Sequence, residues 1–343
     1  MPRTETYMRQ EILEIPHVVA NLLTLGAPGI KAAAAGLVAR DPAFMISVAR
    51  GSSDHAATYF KYCSELLLGI PVASVGPSVA SVYKRPLRLQ GAACIAISQS
   101  GKSPDIVEMA RAARAAGAMS LALTNHPESD LARVSDHTLC LHAGAELSVA
   151  ATKTFVTSIV SGIWLLAQMK GDADLLAAIH ALPKVLEQAA HADWGAVSAA
   201  LADRNSIYCL GRGPANAISN EAALKFKETC QLHAESYSSA EVLHGPVSIV
   251  DSGFPVIALA ANDAAEDVLV QVADDIAAKG ANVFVTSTKA VRAQSLPTIR
   301  SAHALTDPIA LIVSFYAMVE QVACARGINP DAPRHLKKVT ETV

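Results

Sequence analysis

Short apolar runs alternate along the chain with longer stretches whose apolar residues recur at helical spacing. In the first half Phe44 to Ala49, Pro71 to Val75, Ala93 to Ile97, Met119 to Thr124 and Asp136 to Leu141 read as strands. Ala93 to Ile97 has no polar alternation, the pattern of a strand covered on both faces. The stretches between them read as helices. One runs from Ile30 to Arg40 after the breakers Gly26, Pro28 and Gly29, and one follows the polar turn Arg50 to Asp54 as far as Leu68, where Gly69 stops it. A third has Ser103 as its N-cap and Pro104 as its first residue, and ends near Ala116 before Gly117. Upstream, Glu11 to about Leu25 predicts a helix interrupted at Pro16.

The pattern then recurs. Ser206 to Leu210 predicts a strand that enters the turn Gly211 to Pro214, with a helix to about Cys230, and this spacing sets Gly211 opposite Gly51. Pro255 to Ala260 answers Ala93 to Ser98, and the helix Asp263 to Lys279 stops at Gly280 before the strand Asn282 to Thr286, as Gly117 precedes Met119. The expected fold class is α/β: two tandem, doubly wound, mostly parallel flavodoxin-like sheets related by internal duplication. The expected divisions are a helical arm over 1–30, a first domain over 31–170, a helical connection over 171–202, a second domain over 203–328 and a tail over 329–343. Pro183 and its small neighbours predict helices and turns in the connection, not a flexible linker.

Chemistry concentrates where strands end. Ser98, Gln99, Ser100, Gly101 and Ser103 lie between the strand Ala93–Ile97 and the helix that Pro104 and Asp105 open. A helix start carries unpaired N–H groups and partial positive charge, so this turn is a candidate phosphate cradle. Taken alone it is equally an ordinary serine-rich loop. The second copy offers Ala261, Asn262 and Asp263 instead, and a carboxylate there repels phosphate. Open sheets bind ligands beyond the carboxyl ends of their strands, which directs Gly51 to Ser53 and Ser98 to Ser103 to one crevice.

The totals narrow the classes. With 343 residues and 51% hydrophobic content a large core is available, and a net charge of −3 with no basic block excludes the footprint of a nucleic-acid binder. The apolar run Phe155 to Met169 is shorter than the roughly 20 residues of a membrane span and reads as a buried helix. The start, MPRTETYMRQEI, has no apolar signal core, so the expected location is cytoplasmic. The 6 cysteines are scattered singly, with neither zinc nor redox spacing, so no metal and no cofactor is expected.

The turns RGSS and SQSGKS, the segment ELSVAATKTF (146–155), LGRGP (210–214), EAALKFKE (221–228), AEVLHGP (240–246) and the ending PRHLKKVTETV (333–343) resemble the sugar isomerase (SIS) domains. The likeness is greatest to the isomerase half of glucosamine-6-phosphate synthase and covers the chain from about Tyr7 onward. That synthase carries an amino-terminal glutaminase domain. Here Pro2 follows Met1 and MRQEILEIP resembles the start of the isomerase half, so free ammonia, the ammonia-releasing direction or a separate partner is expected, as in the stand-alone second type of glucosamine-6-phosphate deaminase.

The resemblance implies residue roles. Ser98, Gln99, Ser100 and Ser103 would hold the sugar phosphate, with Gly51, Ser52 and Ser53 close by. Val149 and Ala151 would line the hydroxyl side of the sugar, Ala151 standing where the synthases commonly have serine. Glu221, Lys225 and Glu228 fall on one helical face and, unaided, read as a solvated charge ladder. The family match makes Glu228 the base that moves a proton between C1 and C2, and Lys225 the stabiliser of the enol-like intermediate. His244, otherwise a plain turn histidine, would open the sugar ring from across a subunit boundary, which implies a homodimer. Lys338 would form a Schiff base with the open-chain ketose, with Lys337 an outside candidate because the tail is one residue out of step.

The expected reaction converts glucosamine 6-phosphate and water to fructose 6-phosphate and ammonia. Galactosamine 6-phosphate, an amino-acid glycation product or a synthase subunit fed with ammonia are the enzymatic alternatives. A sugar-phosphate sensor is the non-enzymatic one, against which stands the lack of a basic arm or helix-turn-helix extension. A small sugar phosphate is the expected partner, with no nucleic acid and no membrane.

Overall fold

The computed structural model describes residues 5–338. The chain divides into two compact units, each built on one parallel five-stranded sheet. One unit comprises His17–Glu146, Lys153–His180 and residues 337–338; the other comprises residues 5–16, Leu147–Thr152 and Ala181–Leu336.

The elements, in chain order, are α1 (Tyr7–Leu25), α2 (Ala27–Arg40), β1 (Met45–Val48), α3 (Ser52–Leu68), β2 (Val72–Ser74), α4 (Ser78–Ser81), β3 (Ala93–Ile97), α5 (Pro104–Ala115), β4 (Met119–Thr124), α6 (Asp130–Val134), β5 (His137–Cys140) and α7 (Lys153–Lys170). There follow α8 (Ala173–Ala189), α9 (Gly195–Ala200), β6 (Ser206–Gly211), α10 (Pro214–Cys230), β7 (His233–Ser238), β8 (Pro255–Ala258), α11 (Glu266–Ala277), β9 (Asn282–Val285), β10 (Gln294–Ser295) and α12 (Asp307–Ala325). Two short 3₁₀ turns, Glu241–His244 and Pro246–Ile249, lie between β7 and β8.

The first sheet has the order β2-β1-β3-β4-β5 and the second, read from its opposite edge, β7-β6-β8-β9-β10. These are one topology written twice, and the turns repeat in detail. Gly51 opens α3 at φ 56, ψ −133, and Gly213 opens α10 at φ 57, ψ −137. Gly213, and not Gly211, is therefore the counterpart of Gly51. Gly211 is the last residue of β6, and a Cβ there would stand 2.4 Å from the Ala215 carbonyl oxygen. Its role is close packing.

Every residue of β1, β3 and β8 is buried, as apolar strands covered by helices on both faces must be. Phe155 to Met169 falls in α7, whose residues Lys153 to Ala167 are all buried. The helix α12 is long and apolar enough to cross a bilayer, yet 83% of its apolar window is buried, and Phe315 stacks edge-on against Phe226 of α10 at 5.1 Å.

Two expectations needed correction. The helix α1 runs through Pro16 without interruption. Pro16 removes one backbone bond at a cost of about 3 kcal/mol, but Met8, Ile12, Ile15, Val19 and Leu22 are at most 1% exposed, and each buried side chain contributes about 1.5–3 kcal/mol. The second helix begins at Ala27 rather than Ile30, because Pro28 sits in the first turn, where its missing N–H is not needed.

Candidate active site

The candidate phosphate turn is built at the carboxyl ends of β1 and β3, which are adjacent and parallel with Val48 opposite Ala96. Ser98 and Ser100 are 7% and 9% exposed, and both hydroxyls already accept from the backbone: Ser98 Oγ from the Gly101 N–H at 3.2 Å and Ser100 Oγ from the Lys102 N–H at 3.3 Å. Their protons remain available to a ligand. Ser103 is the N-cap of α5, and its side chain makes no capping bond among the described residues. A polar N-cap normally turns its oxygen onto the helix, so a hydroxyl left open here suits an anion in that place. Gly101 adopts φ +62, and a Cβ on it would lie 2.1 Å from Ser129 Oγ. Only glycine lets the turn close against α6.

One partnership in this turn was not expected from the sequence. Asp105, fully buried in the first turn of α5, accepts from Arg50 Nε at 3.0 Å and from Arg50 Nη2 at 2.8 Å. Arg50 precedes Gly51, so this bond ties the two serine turns together and offsets a carboxylate that would otherwise repel a phosphate. Gly51 is exposed, and Ser52 and Ser53 are half-buried in the first turn of α3. Burial pushes the neighbouring Asp54 carboxyl up, with His55 and Arg50 pulling the other way.

The corresponding turn of the second copy is bonded differently. Arg300 lies against it: Nη1 donates to the Ala260 carbonyl at 3.1 Å and to Asp307 Oδ2 at 2.6 Å, and Nη2 donates to the Thr286 carbonyl at 2.5 Å. The Asn262 N–H also donates to Asp307 at 2.8 Å.

The second unit contributes the charged face of α10. Glu221 and Lys225 have 0% side-chain exposure and Glu228 has 21%. Lys225 Nζ lies 3.2 Å from Glu221 Oε1 and donates to Glu228 Oε2 at 2.6 Å, while the Tyr316 hydroxyl donates to Glu221 at 3.0 Å. This is a buried stack with one open end, and no solvated ladder. Burial alone would pull the Lys225 ammonium down, but the two carboxylates overcome it and hold its pKa above the ordinary lysine value. Glu228 reaches a cavity of about 430 Å³ whose other walls include Gln231, His233, Arg334 and Leu336.

The remaining expected residues are placed as follows. His244 ends the first 3₁₀ turn, exposed and without a hydrogen bond among the described residues. Val149 and Ala151 are half-buried in a stretch pinned twice: Glu11 accepts from the Leu147 and Ser148 N–H groups, and the Val149 N–H donates to the Asp331 carbonyl at 3.2 Å. Lys338 Nζ donates to Glu146 Oε2 at 2.7 Å, whereas Lys337 is exposed. No group of three or more metal-ligating side chains occurs among the described residues.

The fold is one parallel α/β sheet architecture occurring twice, with a serine-rich turn in one copy and a buried carboxylate–lysine stack in the other. The SIS domain pattern matches residues 43–169 and again 200–325, and the chain belongs to that family. It is 33% identical over 312 residues to the glutamine–fructose-6-phosphate aminotransferase (isomerizing) of Sulfolobus acidocaldarius, across 86% of this chain and 49% of that protein. The chain spans about half the length of the curated relatives it matches, and it is homologous to their isomerase half. Among solved structures, a candidate phosphosugar isomerase from Silicibacter pomeroyi DSS-3 superposes with a TM-score of 0.93 at 61% identity, covering 95% of this chain and 100% of that one. The C-terminal domain of glucosamine-fructose-6-phosphate aminotransferase from Francisella tularensis gives 0.83 at 25% identity, with 97% and 99% covered.

Proposed function

We propose that the chain converts glucosamine 6-phosphate and water to fructose 6-phosphate and ammonia by aldose–ketose isomerisation. The observation that supports this most is the Glu221–Lys225–Glu228 stack, in which only the last carboxylate is open to a ligand. Relatives at 33% identity are named for moving an amino group onto fructose 6-phosphate with isomerisation, and this reading gives the chain the same bonds to break.

The Ser98–Ser103 turn, with Gly51, Ser52 and Ser53, holds the phosphate. His244 opens the ring by exchanging a proton with the ring oxygen, work to which an imidazole is suited near neutral pH. His244 comes from a second copy of the chain in a homodimer. Glu228 then removes the proton from C2 of the open aldehyde and returns it to C1, leaving a ketimine at C2. Lys225 fixes the Glu228 carboxylate in one orientation and supplies positive charge beside it as the enol-like intermediate forms. Val149 and Ala151 border the sugar hydroxyls, and Glu221 holds Lys225 from below. Water adds at C2 and ammonia leaves. The same steps run backwards when ammonia is supplied.

Replacing Glu228 by Gln keeps the shape and removes the base. Proton exchange between solvent and C2 of the sugar is expected to fall by about 10²–10⁴-fold, while sugar-phosphate binding, read by calorimetry, persists. Undiminished exchange in E228Q removes Glu228 from the mechanism.

A further inference from the structure

Lys338 makes its ion pair with a residue to which nothing so far has given a role. Glu146 has 0% side-chain exposure, and both of its oxygens are engaged. Oε1 accepts from the Thr154 N–H at 3.0 Å, and Oε2 accepts from Thr154 Oγ1 at 2.8 Å and from Lys338 Nζ at 2.7 Å. Thr154 belongs to the first turn of α7, so the carboxylate is held at the positive end of a helix of 18 residues. Such a partner is rigid. The lysine it holds is not, since a free lysine side chain carries about 2 kcal/mol of rotamer entropy.

We infer that Glu146 is the positioning residue and fixed counter-ion of Lys338, serving the nitrogen both as an ammonium and as a substrate ketiminium. The inference rests on the reading above and adds one step to it, in which the ketimine at C2 passes to Lys338 before water adds. The neutral ketimine and the Lys338 ammonium combine: a proton passes from Nζ to the ketimine nitrogen, the lone pair freed on Nζ forms the Nζ–C2 bond, a second proton passes from Nζ to the substrate nitrogen, and the C2–nitrogen bond breaks to release ammonia. The product is a protonated ketimine on Lys338, with the charge conserved. Water then adds at C2, the Nζ–C2 bond breaks, and fructose 6-phosphate leaves with the ammonium of Lys338 restored. In both charged states Nζ keeps at least one N–H. That hydrogen can donate to Glu146 Oε2 without movement of the carboxylate, and the negative charge offsets the iminium.

The test is covalent trapping. Borohydride added to the protein with fructose 6-phosphate reduces any ketimine to a stable amine, which intact-protein mass spectrometry counts, with Lys338→Ala as the blank. Glu146→Gln preserves the shape and the Thr154 contacts but loses the charge, and trapping is expected to slow by about tenfold or more. Glu146→Asp, which retains the charge on a shorter stem, is expected to restore part of the rate. Rescue of that kind distinguishes a counter-ion from a packing group, and it can be read even if the Gln variant folds poorly. Equal trapping in wild type and E146Q, or no advantage of Asp over Gln, overturns the role of Glu146 and leaves that of Lys338 intact. A wild-type protein that releases ammonia but cannot be trapped overturns the covalent role of Lys338 itself, and with it this inference.

Discussion

At the scale of single residues, the site depends on charges taken out of water in pairs. Lys225 is completely buried between two carboxylates, so removing it takes a cation away from the buried Glu221 and from Glu228. Breaking a buried pair in this way costs about 3–5 kcal/mol. The Lys225→Met variant is expected to lose that much in urea unfolding at pH 8. The pH dependence follows from the raised pKa. Lys225 contributes its stability in full below the ordinary lysine value of 10.5 and loses it only as pH climbs through the higher folded value. A gap between wild type and variant below about 1 kcal/mol at pH 8 would instead mark the stack as an ordinary surface ladder. The sequence displayed the spacing of Glu221, Lys225 and Glu228, but spacing is the same for a solvated face and a buried one. Burial was decided by α12, an apolar helix distant in sequence that covers them. Glu146 was hidden for a similar reason, since its partner lies 192 positions away.

At the scale of elements, the phosphate turn is legible because its constraints are local. Strand, turn, N-cap and Pro104 follow one another, and the structure places them where the apolar run ends and the helix begins. Gly101 is the most constrained point. Replacing it with Ala would force a side chain into left-handed backbone and against Ser129 and Thr124, 2.1 and 2.9 Å from the new Cβ. The expected cost is about 1–3 kcal/mol, together with a weaker stabilisation by inorganic phosphate in thermal melts. A G101A variant whose melting temperature responds to phosphate as the wild type does would detach this turn from anion binding. Elements without a local signature went unread. β7 is a half-exposed edge strand with a polar sequence, HAESYS, and β10 has two residues; both exist because a neighbouring strand offers hydrogen bonds. Pro16 misled in the opposite direction, because local propensity yields to tertiary burial.

At the scale of the whole molecule, one fold occurs twice with its two ligand turns treated differently. The first copy retains hydroxyls, a glycine and an open helix start. The second pairs Arg300 with Asp307 at the corresponding turn and carries the Glu221–Lys225–Glu228 stack on α10. Duplication was visible in the spacing of glycines, and the pairing of Gly51 with Gly213 came only from their matching backbone angles. A protein organised this way should be stabilised by its sugar phosphate: a ligand at a hundred times its Kd contributes about 2.7 kcal/mol to unfolding. The central claim, however, concerns a reaction. The chain should be incubated with glucosamine 6-phosphate and no other nitrogen source, with ammonia and fructose 6-phosphate measured together. The account predicts that both appear in equal amounts and that E228Q produces neither; glucosamine 6-phosphate left intact by the wild-type protein would contradict it.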